Sequence, residues 1–224
     1  MRLYKLLHIN YRKMAFSLIF LFPIISKAQL TQPQLDSLIS SFTTNLKKKK
    51  IDTILTYKQF CIGCLFQPVK DGNLCLENFA SLPTYVFWKE KGKTFATRKD
   101  ICFDYSVQEI AHDSIWTYYL ANQPKIRKEE LKEPQYEETV NGKKVIRTVN
   151  IEHSIFFHLT IGMAGNNLFK EINSFYFTPF LGPDETVNLN YQYNISTALS
   201  NLHMIIQRII KSEPVKQQFV RTLR

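Results

Sequence analysis

Glycine is scarce in this chain. Seven glycines in 224 residues leave few places where backbone can wrap closely around a phosphate. There is no Walker loop, no G-x-G-x-x-G, no H-E-x-x-H, no G-x-S-x-G and no EF-hand loop. The familiar nucleotide, dinucleotide, zinc-protease, α/β-hydrolase and calcium-loop chemistries are therefore not signalled. Internal repeats and low-complexity tracts are missing too, so a solenoid is not expected. The apolar run at residues 14–25 is 12 residues long, whereas a membrane-spanning helix needs about 20. Basic residues form no stripe interleaved with aromatics. The one lysine run, Lys47 to Lys50, reads as a solvated helix end, so no nucleic-acid partner is expected.

What is present begins with an export signal. Arg2, Lys5, Arg12 and Lys13 precede the apolar run, and Ser26-Lys27-Ala28 follows it with small residues at the positions a signal peptidase inspects. The expectation is a cleaved signal peptide over residues 1–28, with Met14 as an alternative start, and a single domain over residues 29–224. The product would be periplasmic or secreted, with no remaining transmembrane anchor. Cleavage would remove five bases (Arg2, Lys5, Arg12, Lys13, Lys27) and no acid, lowering the net charge from +10 to +5. A charge of that size suits solubility. The 17 Phe, 11 Tyr and 2 Trp supply enough apolar surface for a core.

Cysteine is confined to Cys61, Cys64, Cys75 and Cys102. In an oxidising compartment these pair by default, and three connectivities remain open. Two structural disulfides are expected; a bridge from Cys61 or Cys64 to Cys102 would close about 40 residues and contribute on the order of 4 kcal/mol. Two sharper chemistries compete. Cys61-Ile62-Gly63-Cys64 is a C-x-x-C, which in a thiol oxidoreductase follows a buried strand. The residues before Cys61 read instead as a short helix through Ile51, Ile54 and Leu55. A four-cysteine zinc site would want a second C-x-x-C, which is absent. No metal and no cofactor are therefore expected.

Periodicity outlines the remaining elements. Leu35, Leu38, Ile39, Phe42 and Leu46 recur at helical spacing. Residues 84–90, Gly92 and residues 93–97 read as a hairpin. Ser106-Val107-Gln108-Glu109 has the form of a capping box, opening a helix striped by Val107, Ile110, Ala111, Ile115, Tyr118 and Tyr119 and stopped by Pro124. His112-Asp113-Ser114 would lie inside that helix. Consecutive helix positions diverge, so these three cannot form a hydrolase triad among themselves. The charged residues 125–138 read as an exposed linker or a short solvated helix, and Asn141-Gly142 as the tip of a second hairpin. Residues 152–163 alternate as a central strand, with His153 and His158 on opposite faces. Residues 172–177 would form its partner strand. Ile195, Leu199, Leu202, Ile206 and Ile209 mark a helix over residues 191–211 that packs on the sheet, ended by Pro214.

The expected fold is α+β, an antiparallel sheet of hairpins packed against N-terminal, middle and C-terminal helices. The expected function is an exported, disulfide-stabilised, non-catalytic binding or envelope-associated protein with a protein or small-molecule partner. Two alternatives stand beside it. One is a hydrolase built on His153 or His158 with Glu152 or Glu171, which requires a histidine in a cleft within reach of an acid. The other is a thiol oxidoreductase using Cys61 and Cys64.

Overall fold

A computed structural model describes residues 32–62, 82–100, 103–149, 153–181, 186–212 and 221–223. The signal segment, Cys64, Cys75, Cys102, Glu152 and Pro214 lie outside the described residues. In chain order the elements are α1 (Gln32–Lys48), β1 (Ile54–Ile62), β2 (Thr84–Glu90), β3 (Lys93–Lys99), β4 (Phe103–Tyr105), β5 (Gln108–Ile110), α2 (Ser114–Lys128), β6 (Gln135–Val140), β7 (Lys143–Thr148), β8 (Ser154–Met163) and β9 (Asn166–Asn173). A 3-10 turn (Ser174–Phe177), the short strands β10 (Phe180–Leu181) and β11 (Thr186–Val187), α3 (Tyr191–Ser196), α4 (Ala198–Lys211) and β12 (Arg221–Leu223) follow.

The fold is α+β. An eight-stranded sheet runs β12-β4-β3-β2-β1-β8-β9, with β5 also paired to β3. Every pairing in it is antiparallel. The alternation of each strand sends two sets of side chains to opposite faces. One face carries Leu55, Tyr57, Phe87, Phe157, Leu159, Ile161 and Ile172, packed against Trp116 and Tyr119 of α2 and Leu199, Leu202 and Ile206 of α4. The other carries Ile54, Val86 and Trp88, covered by Leu46, Ile39 and Phe42 of α1. Helices therefore lie on both faces, and the larger core sits under α2 and α4.

Several local expectations hold. The hairpin β2–β3 turns at Lys91-Gly92 and β6–β7 turns at Asn141-Gly142, each with both central residues at positive φ. Strand β8 lies inside the sheet between β1 and β9.

Others are corrected. Residues 54–62 are the strand β1, because β2 and β8 hydrogen-bond it on both sides; that pairing outweighs a helix-like spacing of three apolar residues. The capping box opens no helix. Glu109 lies in β5 opposite Phe95, the Gln108 side chain donates to Ser106 Oγ at 2.6 Å, and α2 starts only at Ser114. Pro124 does not stop α2 but lies inside it. The charged residues 125–138 divide between the end of α2, a loop and the start of β6. The partner of β8 is residues 166–173, and residues 174–177 form the 3-10 turn instead. The C-terminal helix breaks at Thr197, whose hydroxyl caps α4 by accepting from Ser200 N.

Candidate functional site

The region around Cys61 draws on four elements. On adjacent strands Lys58 (β1), His158 (β8) and Glu171 (β9) stand directly opposite one another, so their side chains share the face that α1 covers farther along. Asp36 of α1 closes the row. Lys58 Nζ donates to both of its carboxylate oxygens, at 2.7 and 2.9 Å. His158 Nε2 lies 2.8 Å from Glu171 Oε2. Both pairs are partly solvated, and pairs of that kind typically contribute 1 kcal/mol or less, roughly.

Aromatic rings enclose the histidine. Phe60 lies 4.3 Å from the imidazole centroid and Phe169 5.1 Å from it, edge-on. Phe60 also stacks on Phe156 at 5.4 Å. Phe169 is 58% exposed, and Phe60 and Phe156 are half-buried. Beside them opens a cavity of about 330 Å³ walled by Gln32, Lys58, Phe60, Cys61, Leu82 and His158.

Two of the sequence candidates thus meet here: Cys61 and His158 line one cavity, and Glu171 holds the imidazole. His153 does not join them. It is exposed and precedes β8, and its proposed partner Glu152 lies outside the described residues. The His158–Glu171 contact meets the geometric requirement set for a hydrolase. Among the described residues no hydroxyl or thiol is hydrogen-bonded to His158, so two members of a triad are present without the third. Cys61 is not a free thiol. It ends a strand rather than a helix, the local context a C-x-x-C oxidoreductase has. Among the described residues no three His, Cys, Asp or Glu side chains gather as metal ligands, and no helix is long and apolar enough to cross a membrane.

His112, Asp113 and Ser114 are separated as chemistry. His112 is exposed. Asp113 turns to the β2–β3 hairpin, accepting from Lys89 Nζ at 2.5 Å and Thr94 Oγ1 at 2.9 Å. Its role is to pin the start of α2 to the sheet.

The opposite face holds a polar cluster that the reading of apolar residues alone overlooks. His203 of α4, 5% exposed, has Nδ1 2.9 Å from Tyr57 Oη, and Gln207 Nε2 donates to the same oxygen at 2.6 Å. With Gln207 donating, the phenol proton is left for His203, which makes Nδ1 the acceptor. Phe157 and Phe177 pack on the imidazole. Burial, and secondarily the Lys211 charge, push the imidazole pKa down to about 4. Burial likewise drives the Tyr57 phenol far above its ordinary range. Both groups are neutral at pH 7 and serve as internal links between sheet and helix. The available signal was the spacing of positions 199, 203 and 206, which puts His203 on the buried face of α4.

Compared with protein families, with curated proteins and with solved structures, the chain matches none.

Proposed function

We propose that this is an exported, disulfide-stabilised binding protein whose ligand surface is the aromatic sheet face around Phe60, Phe156, His158 and Phe169. The observation that carries the reading is that Phe60, Lys58 and His158 line one cavity while Phe156 stacks on Phe60, Phe169 packs on His158, and Asp36 and Glu171 pair with the two basic groups. Rings give flat apolar contact, and the flanking Lys58, His158 and Glu171 give orientation, which is the usual division of labour in a small-molecule site. The ligand class that fits is a small molecule with one apolar face and a polar edge. Screening aromatic and heteroaromatic fragments by NMR tests this. Hits should move the amide signals of Phe60, Phe156, His158 and Phe169, and Phe60→Ala should weaken them. Hits that cluster elsewhere, or none at all, overturn the reading.

A second reading, a hydrolase in which His158 acts as general base oriented by Glu171, is favoured by their 2.8 Å contact. It expects turnover of an activated ester such as p-nitrophenyl acetate to fall by about a hundredfold in His158→Gln. Turnover that does not change removes it. Export and thiol pairing are tested together by the intact mass of the secreted protein, which should correspond to a chain starting at Gln29 with every cysteine oxidised.

A further inference from the structure

Among the described residues, strand β9 is the last strand of the sheet on its side, and its outer edge faces a groove. The direction of each backbone group follows from the ladder. Gln59 N donates to Pro83 O, and Lys89 N to Thr53 O, so odd-numbered residues of β1 point toward β2. Even-numbered residues of β1 therefore point to β8, and the register then turns the odd-numbered residues of β8 toward β9. Their partners on β9 are Asn166, Leu168, Lys170 and Ile172. Asn167, Phe169 and Glu171 consequently direct N–H and C=O outward. The Arg127 guanidinium confirms the direction independently, donating to Asn167 O from outside the sheet at 3.3 Å.

Arg127 thus blocks the edge at Asn167, and the 3-10 turn after Asn173 ends it at the other side. Between these stops lie the N–H and C=O of Phe169 and Glu171. Among the described residues these four groups have no backbone partner. Edge strands are commonly guarded by proline, a bulge or an outward lysine. Strand β9 has a regular register and no proline. Its one lysine, Lys170, is committed to the carbonyls of Arg127 and Glu129 at 3.1 and 2.6 Å.

The groove beside this edge, about 330 Å³, has the β9 edge as one wall and Glu129, Glu130 and Leu131 as the other, with Tyr176 and Leu199 between. Glu129, Glu130 and Glu171 line it with Lys170 as the sole base; Glu129 accepts from Leu199 N through one oxygen and Glu171 pairs with His158, so the negative charge open to a cationic occupant is centred on Glu130 and the second oxygen of Glu129. We propose that this groove takes one extended segment of a partner protein as an added strand, hydrogen-bonded to Phe169 and Glu171, with a lysine or arginine side chain directed to Glu129 and Glu130. Main-chain bonds would supply affinity and the carboxylates selectivity. The proposal shares Phe169 and Glu171 with the small-molecule surface described above but uses their backbone groups, not their side chains.

The test uses amidated octapeptides that alternate valine or threonine with lysine, and matched peptides with glutamate in place of lysine. The lysine peptides should bind, shift the amide signals of Phe169 and Glu171, and lose affinity with added salt. Phe169→Pro removes the outward N–H together with the ring beside His158, whereas Phe169→Ala removes the ring alone; both should keep the fold, and the proline variant should weaken the peptide about tenfold or more beyond the alanine variant. Glu130→Lys, on an exposed loop position, should weaken it without touching the edge. The proposal is overturned if lysine and glutamate peptides bind alike, or if binding leaves the Phe169 and Glu171 signals in place. It is also overturned if the edge proves to be closed by a second copy of the chain, seen as a dimer that Phe169→Pro dissociates and lysine peptides do not affect.

Discussion

His203 shows how burial of one side chain makes folding stability depend on pH. It is enclosed by Tyr57, Gln207, Phe157 and Phe177, with Lys211 as the nearby charge. Its folded pKa of about 4 lies below the ordinary imidazole value of 6.5. Between those values the unfolded chain binds the extra proton and the folded chain does not. Stability should therefore be constant above pH 6.5 and fall as the pH drops toward 4, by on the order of 3 kcal/mol from this group. Urea melts across that range should show the slope, and His203→Gln should flatten it. A slope that survives the substitution would place its origin in other groups. At the β8–β9 turn, Ala164 takes φ of 47°, a conformation unfavourable for a residue with a Cβ and no local hydrogen bond. Ala164→Asn should raise stability by about 1 kcal/mol, read as a higher melting temperature. Nothing in the composition of Gly162-Met163-Ala164-Gly165 signals that the alanine, and not a glycine, takes this position.

Among the elements, the hairpins were readable because their information is local. Asn141-Gly142 and Lys91-Gly92 sit where a tight turn demands positive φ, and alternation in β8 marks a buried face. Strand β1 was not readable. Ile51, Ile54 and Leu55 fit a helical spacing, and only flanking β2 and β8 make 54–62 extended. Ser106 to Glu109 failed for a related reason: the box satisfies two backbone donors in a helix, but β3 offers the same segment a ladder. Helix α2 illustrates a third case. Pro124 removes one helical hydrogen bond, and Leu120, the residue whose carbonyl loses its partner, is 54% exposed, so water can replace it. Pro124→Ala should therefore stabilise the protein, by about 1–3 kcal/mol in chemical denaturation. No gain would mean that the proline already sits in a geometry matched to the helix.

For the whole molecule the open question of sulfur chemistry is a stability question. A bridge from Cys61 to Cys102 would tie the end of β1 to the residues that follow β3, across the β2–β3 hairpin. Cys102→Ser should lower the melting temperature and release one reactive thiol, since a bridge closing about 40 residues contributes on the order of 4 kcal/mol. Unchanged melting with no new thiol would count against it. The candidate site was partly legible at this scale. His158 and Glu171 were named as partners in principle, and Cys61 as a site of interest. Lys58, Phe60, Phe156 and Phe169 were not, because a sheet site is assembled from strands whose neighbours are far apart in the chain.

Patterning by itself determined the α+β class, the two tight hairpins, the α1 stripe and the apolar seam of α4. Each depends on residues within one turn or one alternation of each other. The placement of β1 at the middle of the sheet, the meeting of Cys61 with His158, the burial of His203 and the open edge of β9 were decided only by tertiary structure. Strand order and register arise from pairing between distant segments, and no local periodicity encodes which strand a given face will lie beside.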